Sequence, residues 1–387
     1  MPFRRFFLLC ATAFSSVEEE ASGRSFSRGS GGSSSSSDRT KELSYGPEDL
    51  LVGQEILSCE QESLAVGGQA VMEGIMMRNG DRLALAVRKP DGHIVAVNQP
   101  WQTVFSSEFV RRPWLRGFPV LVETMINGVK ALNLSAELAA EAEGAPLKPW
   151  QLAMTLAVAI GLALLLFVVV PHLLTIGLTL LSLSGGVEGL SFHLWDGLLK
   201  FAMFIGYIAC ISFVPDIRRV FEYHGAEHKS IAAYEQGENP VTPESAATYS
   251  RLHPRCGTTF LLFVLSISIL LHTVTVPLLM LVWTPENAVI KHSAIIFFKL
   301  LLMVPISALA YETIRYAAKL ENSLTATLLR GPGLMLQSLT TREPDREQLQ
   351  VALVALREAL GASSNAVIET PEYEIISPKS LCQQEQP

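Results

Sequence analysis

The sequence predicts an α-helical polytopic membrane protein with about four transmembrane helices, a small N-terminal unit containing a β-hairpin, and a C-terminal amphipathic helix. Three observations predict it. Hydrophobic residues make up 49% of 387 positions against 17% charged. The apolar excess is gathered into a few long runs rather than spread with a surface-helix period. Lys and Arg crowd the segments before, between and after these runs in an alternating way. The net charge of −7 gives no case for nucleic-acid binding. The five cysteines, Cys10, Cys59, Cys210, Cys256 and Cys382, form no C-x-x-C pair, so neither a disulfide framework nor a zinc ribbon is indicated.

Residues 1–50 read as a targeting or disordered segment. An Arg pair and a short apolar stretch, "MPFRRFFLLCATAF", precede the Ser-, Gly- and Arg-rich "SGRSFSRGSGGSSSSSDR". Such a composition buries too little apolar surface to offset its ordering entropy. It suits an organelle transit peptide, from which the acidic Glu18-Glu19-Glu20 departs.

Residues 64–145 form the N-terminal unit. "RLALAVR" alternates, with Leu83, Leu85 and Val87 on one face, "KPDGH" is a turn, and "IVAVN" resumes the alternation, which predicts a hairpin. "GGQAVMEGIMMRNG" lacks the Lys-Ser/Thr of a phosphate loop, so its glycines are read as tight turns or close backbone approach. Glu73 and Arg78 stand isolated among apolar residues, more in keeping with pairing or solvent than with a site. Residues 111–143 read as a helix at a membrane interface: Arg111, Arg112 and Arg116 suit anionic lipid, and Trp114 and Phe118 the headgroup region.

The transmembrane domain is placed at 150–320. Its apolar runs cover 150–183, about 196–215, 258–283 and about 289–311. The first exceeds the roughly 20 residues of one crossing, and Pro171 is where it would kink or end. Basic residues flank the first run, the 216–257 loop and the end of the fourth, while the other two loops carry almost none, which puts those basic segments on the cytosolic or stromal side of an even number of crossings. Residues 321–361 are expected to be soluble and to hold an amphipathic helix, begun by Pro344-Asp345, striped by Leu349, Leu353, Leu356 and Leu360, and ended by Gly361. Residues 362–387 are expected to be a disordered tail.

The loop 216–257 carries the chemistry. In "EYHGAEHKS", His224 and His228 lie one helical turn apart if the second run continues as helix, with Glu227 beside both. Two imidazoles at i and i+4 are a divalent-metal pattern, zinc above all, and the glutamate is then the candidate base. Gly225 inside that helix costs about 1 kcal/mol relative to alanine. Further ligands are sought in "SRLHPRCGTTF", where His253 and Cys256 stand just before the third run. If all four bind, the site is structural; if three bind, one position is left for water. The plain alternative is that the histidines only hydrogen-bond and Cys256 is a small buried hydrophobe.

The strings "GGQAVMEGIMMR", "RRPWLRG", "YHGAEHKSIAAYEQGE", "SRLHPRCGTTFLL" and "GLMLQSLTTREPD" together resemble the YqhQ-like family over about residues 64–360. These are integral membrane proteins of bacteria and plastid-bearing eukaryotes, without an established activity and described as predicted metal-dependent enzymes. The resemblance implies a four-crossing membrane fold, and the N-terminal extension a plastid-targeted member. Three functional classes stay open: a metal-dependent, hydrolytic enzyme at the cytosolic or stromal membrane face; a non-enzymatic scaffold or assembly factor docking a membrane-protein partner or a second copy; and a small transporter using Lys299, with Lys200 and His272 also in or near the runs. The lipid bilayer is the expected surrounding, and no substrate is legible.

Overall fold

A computed structural model describes residues 66–139, 149–254, 256–320, 324–361 and 366–377. The predicted targeting segment 1–50 lies outside them.

The N-terminal unit is a β-meander. Strands β1 (Gly67–Val71), β2 (Gly74–Asn79), β3 (Arg82–Arg88) and β4 (Ile94–Pro100) pair antiparallel in chain order. The predicted β3–β4 turn closes as its residues dictate: Gly92 takes φ 89°, Lys89 N–H donates to His93 O at 2.9 Å, and Gly92 N–H to Lys89 O at 2.9 Å. Leu83, Leu85 and Val87 do share one buried face, with Val71, Val95 and Val97. Helix α1 (Gly117–Ala139) covers that face. Its buried Glu123 accepts the Val104 and Phe105 N–H groups, both at 3.1 Å, which fixes the irregular segment before the helix.

The other face is buried as well. It presents Ala84, Ala86 and Ala96 beside Ile75 and Met77, and these small side chains let helices pack close. The helices are α5 (Pro215–Glu235) and α11 (Arg346–Leu360). Asp345 caps α11 by a reciprocal pair with Gln348, and Gly361 ends it at φ 64°. The caps agree with the sequence, but the helix is not a surface one. Val351, Ala352, Val354 and Ala355 are buried together with the leucine stripe, because α11 is wedged between the sheet, α5 and α6 (Pro243–Ala247).

The tail also differs from expectation. Residues 366–377, predicted as disordered, are ordered: Val241 and Ile368 form a bridge, and β5 (Tyr373–Ile376) adds to β4 in parallel. A sheet edge with free N–H and C=O groups captures a short aromatic and β-branched run that has no signal of its own.

Among the described residues, four helical stretches are long and apolar enough to cross a membrane: Ala157–Leu180, Leu190–Ile211, Gly257–Val282 and Ala288–Ala317. The first is α2 (Pro149–Leu164), a π-helical stretch (Leu165–Val169) and α3 (Val170–Leu180). Pro171 neither ends nor breaks it. A proline has no N–H for Phe167 O and crowds that carbonyl, and the widened turn just before it accommodates both effects. The second and third are α4 (Leu190–Ile211) and α7 (Gly257–Val282). The fourth joins α8 (Ala288–Leu301) to α9 (Met303–Lys319) across Leu302, next to Pro305. Helix α10 (Leu324–Thr340) leads back to α11.

The second run does not continue as helix through Arg219. Helix α4 stops at Ile211, and Pro215 holds Val214 in extended backbone (ψ 124°) before α5 starts. Pro215 at the first turn and Asp216 beside it then suit the start of α5.

Candidate metal centre

Helix α5 carries the histidines. His224 Nδ1 donates to Thr340 O at 2.9 Å, and His228 Nδ1 donates to Arg251 O at 2.6 Å. The Thr340 carbonyl ends α10 and looks for a donor, since Pro344, four residues on, has none. Because a carbonyl only accepts, both Nδ1 atoms carry hydrogen, and both Nε2 atoms present lone pairs. His224 Nε2 lies 3.1 Å from Cys256 Sγ, and His228 Nε2 is buried without a partner among the described residues. One atom from each of His224, His228 and Cys256 lies within 4.8 Å of the others.

Cys256 comes from the N-cap of α7, where its sulfur accepts from Thr258 N–H. Burial pushes its thiol above the ordinary value, and the Thr258 hydrogen bonds pull it back. Burial lowers His228 to about 3, with the neighbouring His224 acting the same way. Glu227 lies between the cluster and β1. Burial raises its carboxyl to about 8, Cys256 adds to the rise, and His224 and a hydrogen bond from the Gly68 backbone oppose it. Its Oε2 has no hydrogen-bond partner among the described residues.

His253 stands apart from this trio. Its ring centroid is 5.7 Å from that of His228, but its Nε2 faces Glu235 Oε2 at 3.3 Å. Glu235, two turns beyond His228 on α5, engages the fourth expected ligand instead. Burial lowers the His253 pKa. Its main chain is clamped by Gln337, which accepts from His253 N–H and donates to His253 O, both at 2.8 Å.

A cleft of about 420 Å³ opens beside Glu227, His228 and Cys256 and is also lined by Arg78, Trp101 and Thr124. The Arg78 guanidinium lies 3.7 Å over the Trp101 ring and donates to Gly80 O at 2.7 Å. Of the two isolated charges in the sequence, Arg78 therefore faces the cleft. Glu73 pairs with Arg219, at 2.6 Å from Nε.

Sequence reasoning missed the roles of Gly68, Gly225 and Gln337. A Cβ on Gly68 would come within 2.8 Å of the Glu227 carboxyl, and one on Gly225 within 2.0 Å of Arg342 O. The signals were the doubled glycine before β1, a glycine inside a helix, and a glutamine in the apolar string "LMLQSL".

Fold and cluster together define a mostly helical protein with four apolar helices, a small sheet, and a His-His-Cys group where the third apolar helix begins. The chain belongs to the family described as "Protein of unknown function (DUF1385)", which matches residues 112–362. It is similar to "Uncharacterized protein YqhQ" of Bacillus subtilis (strain 168), with 32% identity over 311 residues, 76% of this chain and 92% of that relative. This agrees with the YqhQ-like family that the motifs resemble. No solved structure matches the chain.

Proposed function

We propose that the protein is a metal-dependent hydrolase at a membrane surface, with His224, His228 and Cys256 holding a zinc-type ion and Glu227 as the base. The observation that carries this reading is the fixed tautomers: two backbone carbonyls hold both Nδ1–H groups, so two Nε2 lone pairs converge on a sulfur. Backbone partners of this kind orient metal-ligating histidines. Zinc bonds of about 2.1 Å to nitrogen and 2.3 Å to sulfur place tetrahedral ligands on the order of 3.5 Å apart, so the trio needs little closing. Bound there, the ion would supply a lowered water pKa and Lewis acidity.

The side chains do the rest. His224 and His228 present lone pairs without rotating. Cys256 loses its proton on ligation. With the ion bound, the Glu227 carboxylate would take a proton from the attacking water and pass it to the leaving group. With His253 beside Glu235, the three residues that would hold the ion are His224, His228 and Cys256, and the cleft lies next to them. The Arg- and Ser-rich leader supports a plastid-type membrane as its place, which a fluorescent fusion of the full chain would check.

Metal analysis of the purified protein tests the centre. One equivalent of zinc is expected, lost in a His224→Ala/His228→Ala double variant. Cobalt loading should give a thiolate charge-transfer band that Cys256→Ser removes. Glu227→Gln should keep the metal and lose complementation of a deletion strain. A protein that takes up neither ion would overturn the reading.

A further inference from the structure

A second polar cluster lies inside the apolar helices, and all four contribute to it. Asp196 Oδ2 on α4 accepts from Lys299 Nζ of α8 at 2.5 Å and from Lys200 Nζ at 2.8 Å. The Asp196 side chain is 2% exposed, Lys299 3% and Lys200 12%. Asp196 Oδ1 is buried with no partner among the described residues.

Other titratable groups surround it on the same helices. His193 on α4 donates through Nε2 to Val187 O at 2.9 Å, which leaves Nδ1 a buried acceptor without a partner among the described residues. His172 of α3 meets His292 of α8 at 2.8 Å; among the described residues its buried Nδ1 has no partner, nor has Nε2 of His272 on α7. At 1.5 Å per residue, His272 is about 24 Å along α7 from Cys256, so this cluster is separate from the His-His-Cys centre.

Two ammonium groups share one carboxylate. If all three are charged, the apolar bundle holds an uncompensated positive charge, which is costly without a partner. A bound anion would bring another acceptor next to the unpartnered Oδ1. Loss of one proton neutralises the cluster and adds none. The geometry points to a proton-binding switch formed by Asp196, Lys200 and Lys299, in which Lys299 exchanges a proton with water through the histidine-lined end of the bundle.

In the acid form, the Lys299 ammonium ties α8 to α4 through Asp196, and the cluster carries +1. In the basic form, the proton has left to water, Lys299 is a neutral amine, Lys200 alone balances Asp196, and the tie between helices weakens. Lys299 is the exchanging group because it is the more deeply buried ammonium and the only one of the pair borne by a second helix. The cluster therefore couples proton uptake to the α4–α8 contact.

The test is nitrogen NMR of the full chain, labelled with [15N]lysine and held in lipid nanodiscs. One Nζ resonance, absent in Lys299→Met, should pass from the ammonium to the amine position as the pH is raised across the range in which the protein stays folded. In Lys200→Met the charges balance one to one, and the Lys299 resonance should stay at the ammonium position throughout. Should Lys299→Met not fold, Lys200→Met decides alone, because the count of titrating lysine signals should fall by one. A Lys299 ammonium unchanged across the range in the unmodified protein would overturn the proposal, as would a Lys200→Met titration identical to it.

Discussion

Gly225 shows what a single hydrogen atom does here. In an isolated helix, alanine would be worth about 1 kcal/mol more than glycine. Here a Cβ would meet the Arg342 carbonyl at 2.0 Å, and that oxygen is main chain, which cannot swing away. Overpacking of this kind costs about 3 kcal/mol and outweighs the propensity gain. Gly225→Ala should therefore lower the melting temperature of the detergent-solubilised protein; a rise would show that the α10–α11 linker yields freely. The Glu73–Arg219 pair is the contrast. Its arginine side chain is 49% exposed, and exposed pairs contribute under about 1 kcal/mol. Arg219→Ala should shift the melting temperature much less than Gly225→Ala in the same assay. Gly68→Ala is the local probe of the proposed centre: its methyl would crowd the Glu227 carboxyl and the Met76 carbonyl, so on the proposed reading complementation of a deletion strain should fall while zinc uptake holds.

Helix α11 and strand β5 show how elements far apart in sequence build one module. The stripe Leu349, Leu353, Leu356 and Leu360 marked α11 as helical, and Asp345 and Gly361 marked its ends. What the pattern hid was the alanine and valine side of the helix, which looks weakly apolar on paper yet lies buried against α5 and α6. Leu353 is fully buried, so Leu353→Ala should cost about 2–5 kcal/mol. Because α5 packs on α11, the proposed metal centre should then hold added zinc less tightly, measured by dialysis against a chelator. Strand β5 was illegible for another reason: a four-residue strand is made by the edge it joins, not by its own period. A chain ended at residue 361 should expose the β4 edge and free Val241 from Ile368, and a lower melting temperature with more aggregation is expected in light scattering.

Across the whole molecule, the long apolar runs were readable because length and composition decide them. The centre was readable only in part. Spacing along α5 gave His224, Glu227 and His228, and the return of the chain before α7 gave Cys256. The choice of Cys256 over His253 was not, because it depends on Glu235 and Gln337 reaching His253 from two other helices. The order of charges makes the last prediction. Lys and Arg are absent from 149–199 and from 256–290, while the sheet, α5 and α11 carry many. The connections 181–189 and 283–287 should therefore face the side opposite to the sheet module. Single cysteines placed at Glu188, Glu286 and the exposed His93, in a chain with all five native cysteines replaced by alanine, would report this through a membrane-impermeant maleimide. In sealed vesicles of one orientation, Glu188→Cys and Glu286→Cys should label together and His93→Cys only after lysis, or the reverse in inverted vesicles. Labelling of all three from one side would mean that the four apolar helices do not cross, and the polar cluster at Asp196 would then lie in a water-soluble bundle.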